Sequence, residues 1–337
     1  MKKMSFDQAI ESVIQQEMIN DKNIIVMGED VHTIRLNLFI QFGKERVIST
    51  PICEDAFLGA AVTAAMAGLR PIVEIMLVDF IGVAMDAILN HAAKVNFFSG
   101  NKWDVPLVIR SACGGGYGDG GQHEQSLWGW LAHIPGISVV VPSNPSDAGN
   151  LMLSAIQMNS PVIFLEHKLL SDLWLDSMAY GGRTTVNFDV PSAGKYSEVP
   201  TKWEDLPVGQ LNVVKEGIDI TLVSVGVGVH RCLEAAEILK DKNISCEILD
   251  LRWISPLDSS NIIRSVKKTG KIIVVDEDYK QFGLSGEISA ILLENHVNFK
   301  YGRICTEGSI PFSRKLEDQV LPSAKKIVEK VVLMFEE

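Results

Sequence analysis

A chain of 337 residues, 47% hydrophobic and 22% charged, has the length and composition for about two domains, each with its own core. A net charge of −11 without a Lys/Arg-rich stripe argues against a nucleic-acid surface. No run of about 18 apolar residues offers a membrane span, and Lys2-Lys3 is followed by no apolar signal-peptide core. Cys53, Cys113, Cys232, Cys246 and Cys305 are odd in number, widely spaced and free of any C-x-x-C pair. Reduced thiols and a cytoplasmic location are expected from that pattern, with no disulfide frame or zinc site.

In chain order, Phe6, Ile10, Val13, Ile14 and Glu17 fit a first helix. Short apolar runs then read as strands: Ile24–Met27, Val47–Ser49, Ile72–Leu77, Leu107–Ile109, Ser138–Val141 and Val162–Leu165. Between them, a small-residue helix is expected over Ala56–Ala67, and Ile81, Met85, Ile88, Ala92 and Val95 repeat at helical spacing. Ser146-Asp147 reads as the cap of a helix through Leu151–Ile156. This alternation predicts an α/β fold with a parallel sheet covered on both faces, over residues 1–170. Residues 171–209, with Gly181-Gly182 and several prolines, read as an interdomain linker. Trp174, Phe188, Tyr196 and Trp203 make that linker too apolar for a free tether. A second α/β unit, 210–337, follows with strands at Ile220–Val225, Cys246–Leu251, Lys271–Asp276 and near Arg303–Cys305. Its helices fall at His230–Lys240, Ser259–Lys268, near Gly286–Glu294, and Ser323–Phe335.

In parallel sheets ligands sit beyond the carboxyl ends of the strands, which makes Glu29-Asp30, Glu54, Asp79-Phe80 and the Ser111–Gln122 loop candidates for one rim. Glu54, among Pro51, Ile52, Phe57 and Leu58, reads in two ways. Burial would raise its pKa for proton exchange, or it is a first-turn acid serving free helix N–H groups. The loop SACGGGYGDGGQH, Ser111–His123, carries six glycines that permit close backbone approach to a ligand, yet no G-K-[ST] follows, so it is no P-loop. Gly118-Asp119-Gly120 with Asn144 matches the GDG…NN magnesium pattern of thiamine-diphosphate enzymes only by chance, since Pro145 replaces the second Asn. Gly226-Val227-Gly228 lacks the third glycine for a dinucleotide. His123 reads either as an acid–base group or as a loop histidine bonded to a carbonyl. Glu124 beside it is expected to raise the histidine pKa.

Taken together, the motifs resemble the β subunits of thiamine-diphosphate-dependent 2-oxoacid dehydrogenases (pyruvate, branched-chain 2-oxoacid, acetoin). The matching runs are Gly28-Glu29-Asp30-Val31, Thr50-Pro51-Ile52-Cys53-Glu54, Ala67-Gly68-Leu69-Arg70-Pro71, Gln122-His123, His133-x-Pro135-Gly136, Val141-Pro142-Ser143 and Leu249-Asp250-Leu251-Arg252 with Ser255-Pro256-Leu257-Asp258. The resemblance covers nearly the whole chain and implies a transketolase-like pyrimidine-binding domain followed by a transketolase-like C-terminal domain. It implies that Glu54 hydrogen-bonds the aminopyrimidine of thiamine diphosphate and promotes its imino tautomer. Phe80 is implied to pack against that ring, Glu29 to belong to the cofactor-binding set, and His123 to act near the substrate and the lipoyl group. It further implies an α subunit that holds the diphosphate and magnesium, an α2β2 assembly, and a lipoyl acyltransferase core as acceptor. A potassium ion is implied on the backbone carbonyls of Leu107, Ala155, Met158 and Ser160. Two departures stand out: the loop after Val31 is short, and Glu124 replaces a small residue. Half of a split transketolase-like enzyme, or a non-catalytic β-like scaffold, are the rival readings.

Overall fold

The computed structural model describes residues 2–176 and 186–336; Gly181-Gly182 lies outside the described residues. Among these the strands are, in chain order, β1 (Lys2–Ser5), β2 (Ile24–Glu29), β3 (Val47–Thr50), β4 (Arg70–Leu77), β5 (Val108–Cys113), β6 (Ser138–Val140), β7 (Val162–His167), β8 (Tyr196–Val199), β9 (Asn212–Lys215), β10 (Ile220–Ser224), β11 (Cys246–Asp250), β12 (Trp253–Ser255), β13 (Lys271–Tyr279) and β14 (Lys300–Thr306). The first sheet has the order β12-β6-β7-β5-β4-β2-β3, parallel from β6 to β3. The second has the order β14-β13-β10-β11-β9, parallel except for β9 at its edge. Both β5 and β7 are buried along their whole length, as parallel strands covered on two faces must be.

Helix Phe6–Asn20 starts at Ser5, whose hydroxyl accepts from Gln8 N while the Gln8 side chain accepts from Ser5 N, a reciprocal cap that satisfies two free donors. Its buried face of Phe6, Ala9, Ile10, Val13, Ile14 and Met18 packs against helix Pro145–Gln157 on one side of the sheet. That second helix is capped by Asn144, whose side chain accepts from Asp147 N at 3.0 Å with Pro145 at the first helical position. The cap therefore lies two residues before the expected Ser146-Asp147, because proline is tolerated at the first position, where no donor is needed. On the opposite face lies helix Glu54–Met66. The single helix expected from Ile81 to Val95 is three pieces: a 3-10 turn Val78–Ala84, a π turn Ala87–Ala92 and a short α-helix Val95–Phe98. Ile81, Ala84, Ala87, Ile88 and Ala92 are all buried. Of the expected face, Ile81, Ile88 and Ala92 are buried while Met85 and Val95 are half-buried, so the apolar spacing reported the side and not the hydrogen-bond pitch.

The C-terminal part reaches back into the first sheet. β12 pairs antiparallel with β6, Trp253 opposite Val140, and Val141 N donates to Arg252 O at 2.8 Å. The Leu249–Asp258 stretch, read as belonging to the final domain, thus supplies an edge strand to the first one, where Trp253 is fully buried. In residues 171–209, β8 pairs antiparallel with β1. Phe188 and Trp203 join the first core, and Trp203 Nε1 donates to Ser12 Oγ at 3.1 Å. Tyr196 stays 52% exposed.

Candidate active site on the strand rim

Glu29 ends β2, and Asp30 turns the chain with φ 50 into the short helix Val31–Ile34. Glu54 opens helix Glu54–Met66 directly after β3, and Cys53 before it provides no side-chain cap. Burial first, then Asp30, then Glu54 push the Glu29 carboxyl above its ordinary range. Glu54 itself is half-buried. Phe57 and Leu58 turn inward to the core, whereas Pro51 is exposed and Ile52 is 73% exposed. The closed apolar setting expected for Glu54 is therefore only half built by this chain, since the helix sends one side inward and leaves the 51–54 turn on the open side. Just before it, Thr50 Oγ1 is buried with no hydrogen-bond partner among the described residues.

Helix Glu54–Met66 packs on the 3-10 turn that carries Asp79 and Phe80. The Phe80 ring meets His123 edge-on, centroids 6.0 Å apart at 85°. Three backbone contacts fix His123: its N donates to Gly120 O at 3.0 Å, its carbonyl accepts from Lys168 Nζ at 2.6 Å, and its Nδ1 lies 3.3 Å from Asp119 O. Beside this pair, Gln125 Nε2 donates to Asp79 Oδ1 at 2.7 Å and Tyr279 OH donates to Gln125 Oε1 at 2.9 Å. Asp79 Oδ2 is buried and finds no partner among the described residues. The rim thus holds Glu29 near Glu54 and Phe80 against His123, with one carboxylate oxygen and one hydroxyl unpaired nearby.

The glycine loop does approach something closely, and it is the protein itself: the end of β7 on one side and the C-terminal part on the other. A Cβ on Gly114, at φ +92, would sit 2.1 Å from His167 Nε2, and one on Gly120 would sit 2.8 Å from the Phe312 ring. Converging loop N–H groups make an anion-binding nest, and three carboxyl groups fill it. Gly115 N donates to Glu277 at 2.8 Å; Gly116 N and Gly118 N donate to Glu317 at 2.7 and 3.1 Å; Tyr117 N and Gly120 N donate to Glu124 at 2.6 and 3.1 Å. Glu124 is thereby a correction to the sequence reading. Its side chain is wholly buried beneath the loop and engaged with backbone donors, away from the imidazole whose pKa it was expected to raise. Burial and its bond to Glu317 push its carboxyl up to about 9. Burial also pulls the Lys168 amine down, against the attraction of Glu124, 3.9 Å away. Across the same seam His167 Nε2 pairs with Glu277 at 2.8 Å. Burial would raise the Glu277 carboxyl, but His167 and the Gly115 N–H outweigh it and hold it low.

Behind the rim runs a buried ionic cluster that sequence reasoning missed. Arg35 bonds Glu74 twice through Nε and Nη2, at 2.7 and 2.9 Å. Arg110 reaches Glu74 at 3.1 Å and pairs bidentately with Glu166. Two arginines overcome burial and hold the Glu74 carboxyl low, while burial wins at Glu166 and raises it. Alternation along β4, β5 and β7 places these three on one face; only that period-2 register could have signalled the cluster. Among the described residues no group of three or more His, Cys, Asp or Glu side chains is arranged for a metal ion. The carbonyls considered for potassium have protein donors: Leu107 O accepts from Val162 N, Ala155 O from Met158 N, and Met158 O from the Arg70 guanidinium at 2.7 Å. The five cysteines are free, and no helix among the described residues is long and apolar enough to cross a membrane.

Residues 2–172 match the transketolase pyrimidine binding domain, and residues 209–327 match the transketolase C-terminal domain. The chain is 38% identical to the acetoin:2,6-dichlorophenolindophenol oxidoreductase subunit beta of Cupriavidus necator, over 97% of this chain and 96% of that one. It is 38% identical to the pyruvate dehydrogenase E1 component subunit beta of Rickettsia felis, with 96% of each covered. It is likewise 38% identical to the 2-oxoisovalerate dehydrogenase subunit beta of Bacillus subtilis, over 88% of this chain and 86% of that one. Among solved structures, an inactive β4 tetramer of a split-gene transketolase superposes with a TM-score of 0.77 at 18% identity, covering 97% of this chain and 96% of that chain, a likeness of fold.

Proposed function

Because the chain belongs to the family of pyruvate, acetoin and 2-oxoisovalerate dehydrogenase β subunits, we propose that it supplies the pyrimidine half of a thiamine-diphosphate site completed by an α subunit. The assembled enzyme decarboxylates a 2-oxoacid or cleaves acetoin and passes the acyl unit to lipoamide on an acyltransferase core. The observation that carries this reading is the grouping on one strand rim of Glu54, Phe80 and His123, with a half-open carboxylate and unpaired polar atoms beside it. Those features fit an aminopyrimidine, which needs a carboxylate at one ring nitrogen and an apolar face to lie against. Bound thiamine diphosphate supplies the carbon nucleophile that adds to the substrate carbonyl. Glu54 holds the proton at the pyrimidine nitrogen, and entry of cofactor and partner over the exposed 51–54 turn excludes water there. Phe80 gives the ring a flat apolar neighbour, worth about 0.5–1.5 kcal/mol beyond buried area. His123, its main chain clamped by Lys168, holds or gives a proton at the substrate oxygen or the lipoyl sulfur.

In this reading magnesium and the diphosphate belong to the α subunit, the assembly is α2β2, and the free thiols suit a cytoplasmic enzyme. A potassium ion at the Leu107, Ala155, Met158 and Ser160 carbonyls would use their second lone pairs beside the Arg70 guanidinium. Co-expression with an α subunit, followed by a panel of 2-oxoacids and acetoin with lipoamide as acceptor, tests the reading. Acyl-lipoamide formation from one panel member is the expected result. Transfer to a sugar without lipoamide would favour a split transketolase instead. Calorimetry on this chain alone should find thiamine diphosphate bound weakly; micromolar, magnesium-dependent binding without a partner overturns the shared site.

A further inference from the structure

The loop that ends at His123 hangs on two fully buried carboxyl groups, Glu124 from its own base and Glu317 from helix Arg314–Val320 of the C-terminal part. Each takes two loop N–H groups: Tyr117 and Gly120 go to Glu124, Gly116 and Gly118 to Glu317. The donors alternate between the two along the chain, so the two carboxyl groups lie side by side under the same few residues, where Glu317 helps burial raise the Glu124 carboxyl. The cations nearby, Lys168 and Arg314, are each shared with another acceptor, although the buried Arg314 Nε has no partner among the described residues. Lys168 is 3.9 Å from Glu124 but spends its shortest bond on the His123 carbonyl, and Arg314 divides between Glu317 at 3.3 Å and Asp318. Asp119 and Asp79 add negative field around Lys168, and the Glu277–His167 pair closes the next position, Gly115. Two adjacent buried carboxyls cannot both ionise cheaply in such a place.

We propose that Glu124 and Glu317 share one proton across the domain seam and that this pair is the positioning device for His123. The proton sits between the two carboxyls on an oxygen that also accepts a loop N–H, since Tyr117 and Gly120 go to the two oxygens of Glu124 and Gly116 and Gly118 to the two of Glu317. Glu124 fixes Gly120, whose carbonyl in turn accepts from His123 N. Lys168 joins the pair to the His123 carbonyl. Removal of the shared proton places a second negative charge under the loop. The resulting repulsion pushes the helix of Glu317 and the loop apart, and with them His123 from Phe80. The carboxyl position of about 9 for Glu124 sets the pH at which this happens. The loop arm stands on the four N–H bonds to two buried carboxyls; the catalytic consequence rests on the role given to His123 above.

The test uses the full chain. Infrared titration of the wild type should show a protonated carboxyl at pH 7 that is lost near pH 9 and is missing in Glu124→Gln. Hydrogen exchange over residues 114–123, corrected for intrinsic rates, should rise about tenfold above pH 9 in the wild type, the scale of one buried hydrogen-bond set. Glu124→Gln is nearly isosteric; its amide can donate to Glu317 and its oxygen can accept from Tyr117 N, at the cost of the acceptor for Gly120 N, and it carries no proton to lose. Its exchange should show no alkaline rise between pH 7 and above pH 9, whereas Glu124→Ala should lose about tenfold already at pH 7. In the reconstituted α complex, the alkaline limb of turnover should vanish in Glu124→Gln, with cofactor affinity unmoved. Absence of the carboxyl signal, or an alkaline loosening that survives in Glu124→Gln, overturns the proposal. A complex without 2-oxoacid or acetoin activity whose exchange and infrared behaviour are as described overturns the functional reading and leaves the clasp intact.

Discussion

Glu54 carries the first chemical step asked of this chain, and its surroundings say how it can be tested. It opens a helix with no side-chain cap before it and stands half in solvent beside a Glu29 whose carboxyl is raised. Glu54→Gln keeps shape and hydrogen-bonding reach but cannot exchange a proton. In the α complex, turnover should fall about 10²–10⁴-fold with assembly unchanged by size-exclusion chromatography; near-native turnover would refute the role. His123→Ala removes an edge-on neighbour of Phe80 and an acid–base group. Lipoamide-dependent turnover should drop about 10²-fold or more while cofactor titration barely changes, and loss of cofactor binding would place His123 in the pocket instead. At this scale sequence and structure agree on which residues occupy the rim, because those residues follow strand ends. They part over Glu124. Adjacency in sequence says nothing about direction, and a carboxyl beside six glycines met two free N–H groups, of Tyr117 and Gly120, before it met an imidazole.

At the scale of elements, apolar period and turn chemistry located every strand of the parallel core. They gave no sign of β12, three residues whose partner lies more than a hundred positions away in β6. The glycine loop shows why such loops are hard to read. Glycine permits a close approach without naming what approaches, and here it is His167 and the helix of Glu317. Gly114 is the tightest of these positions, with φ +92 and His167 where a Cβ would go. Gly114→Ala must displace the His167 ring and break its bond to Glu277. A loss of about 2–4 kcal/mol is expected, from overpacking plus a stranded buried partner, read by urea denaturation of the full chain. An unchanged midpoint would mean the loop has room that the backbone does not show.

Across the whole molecule the two α/β units share one buried apolar cluster, from Val73, Trp128 and Leu165 to Val223, Leu251 and Leu284, and buried polar contacts cross the same seam, several of which titrate. Asp250, at the end of β11, accepts from Ser143 Oγ of the first unit and from Arg252 N; Arg252 in turn pairs bidentately with Asp147. Burial, then the nearby Asp147, raise the Asp250 carboxyl to about 7, against the pull of Ser143 and Arg252. An acid held protonated in the folded chain and ionised in the unfolded one stabilises fully at low pH. That contribution fades as pH rises from 3.8 to about 7. His230, which contacts Ser143 O at 2.6 Å, acts in the opposite sense, since burial lowers its pKa and acid must charge it. The carboxylates held low at Glu74 and Glu277 lose their contribution only at more acid pH. A comparison with Asp250→Asn therefore isolates the one group, because its amide can still donate to Ser143 Oγ and accept from Arg252 N. The variant should match the wild type near pH 4 and become more stable than it as pH rises, by about 2–4 kcal/mol above pH 7. Denaturant unfolding of both chains at pH 4, 6 and 8 measures that difference. A constant difference across this range would mean that Asp250 stays ionised in the fold, and that the Arg252–Asp147 pair does more to hold the seam than the proton does.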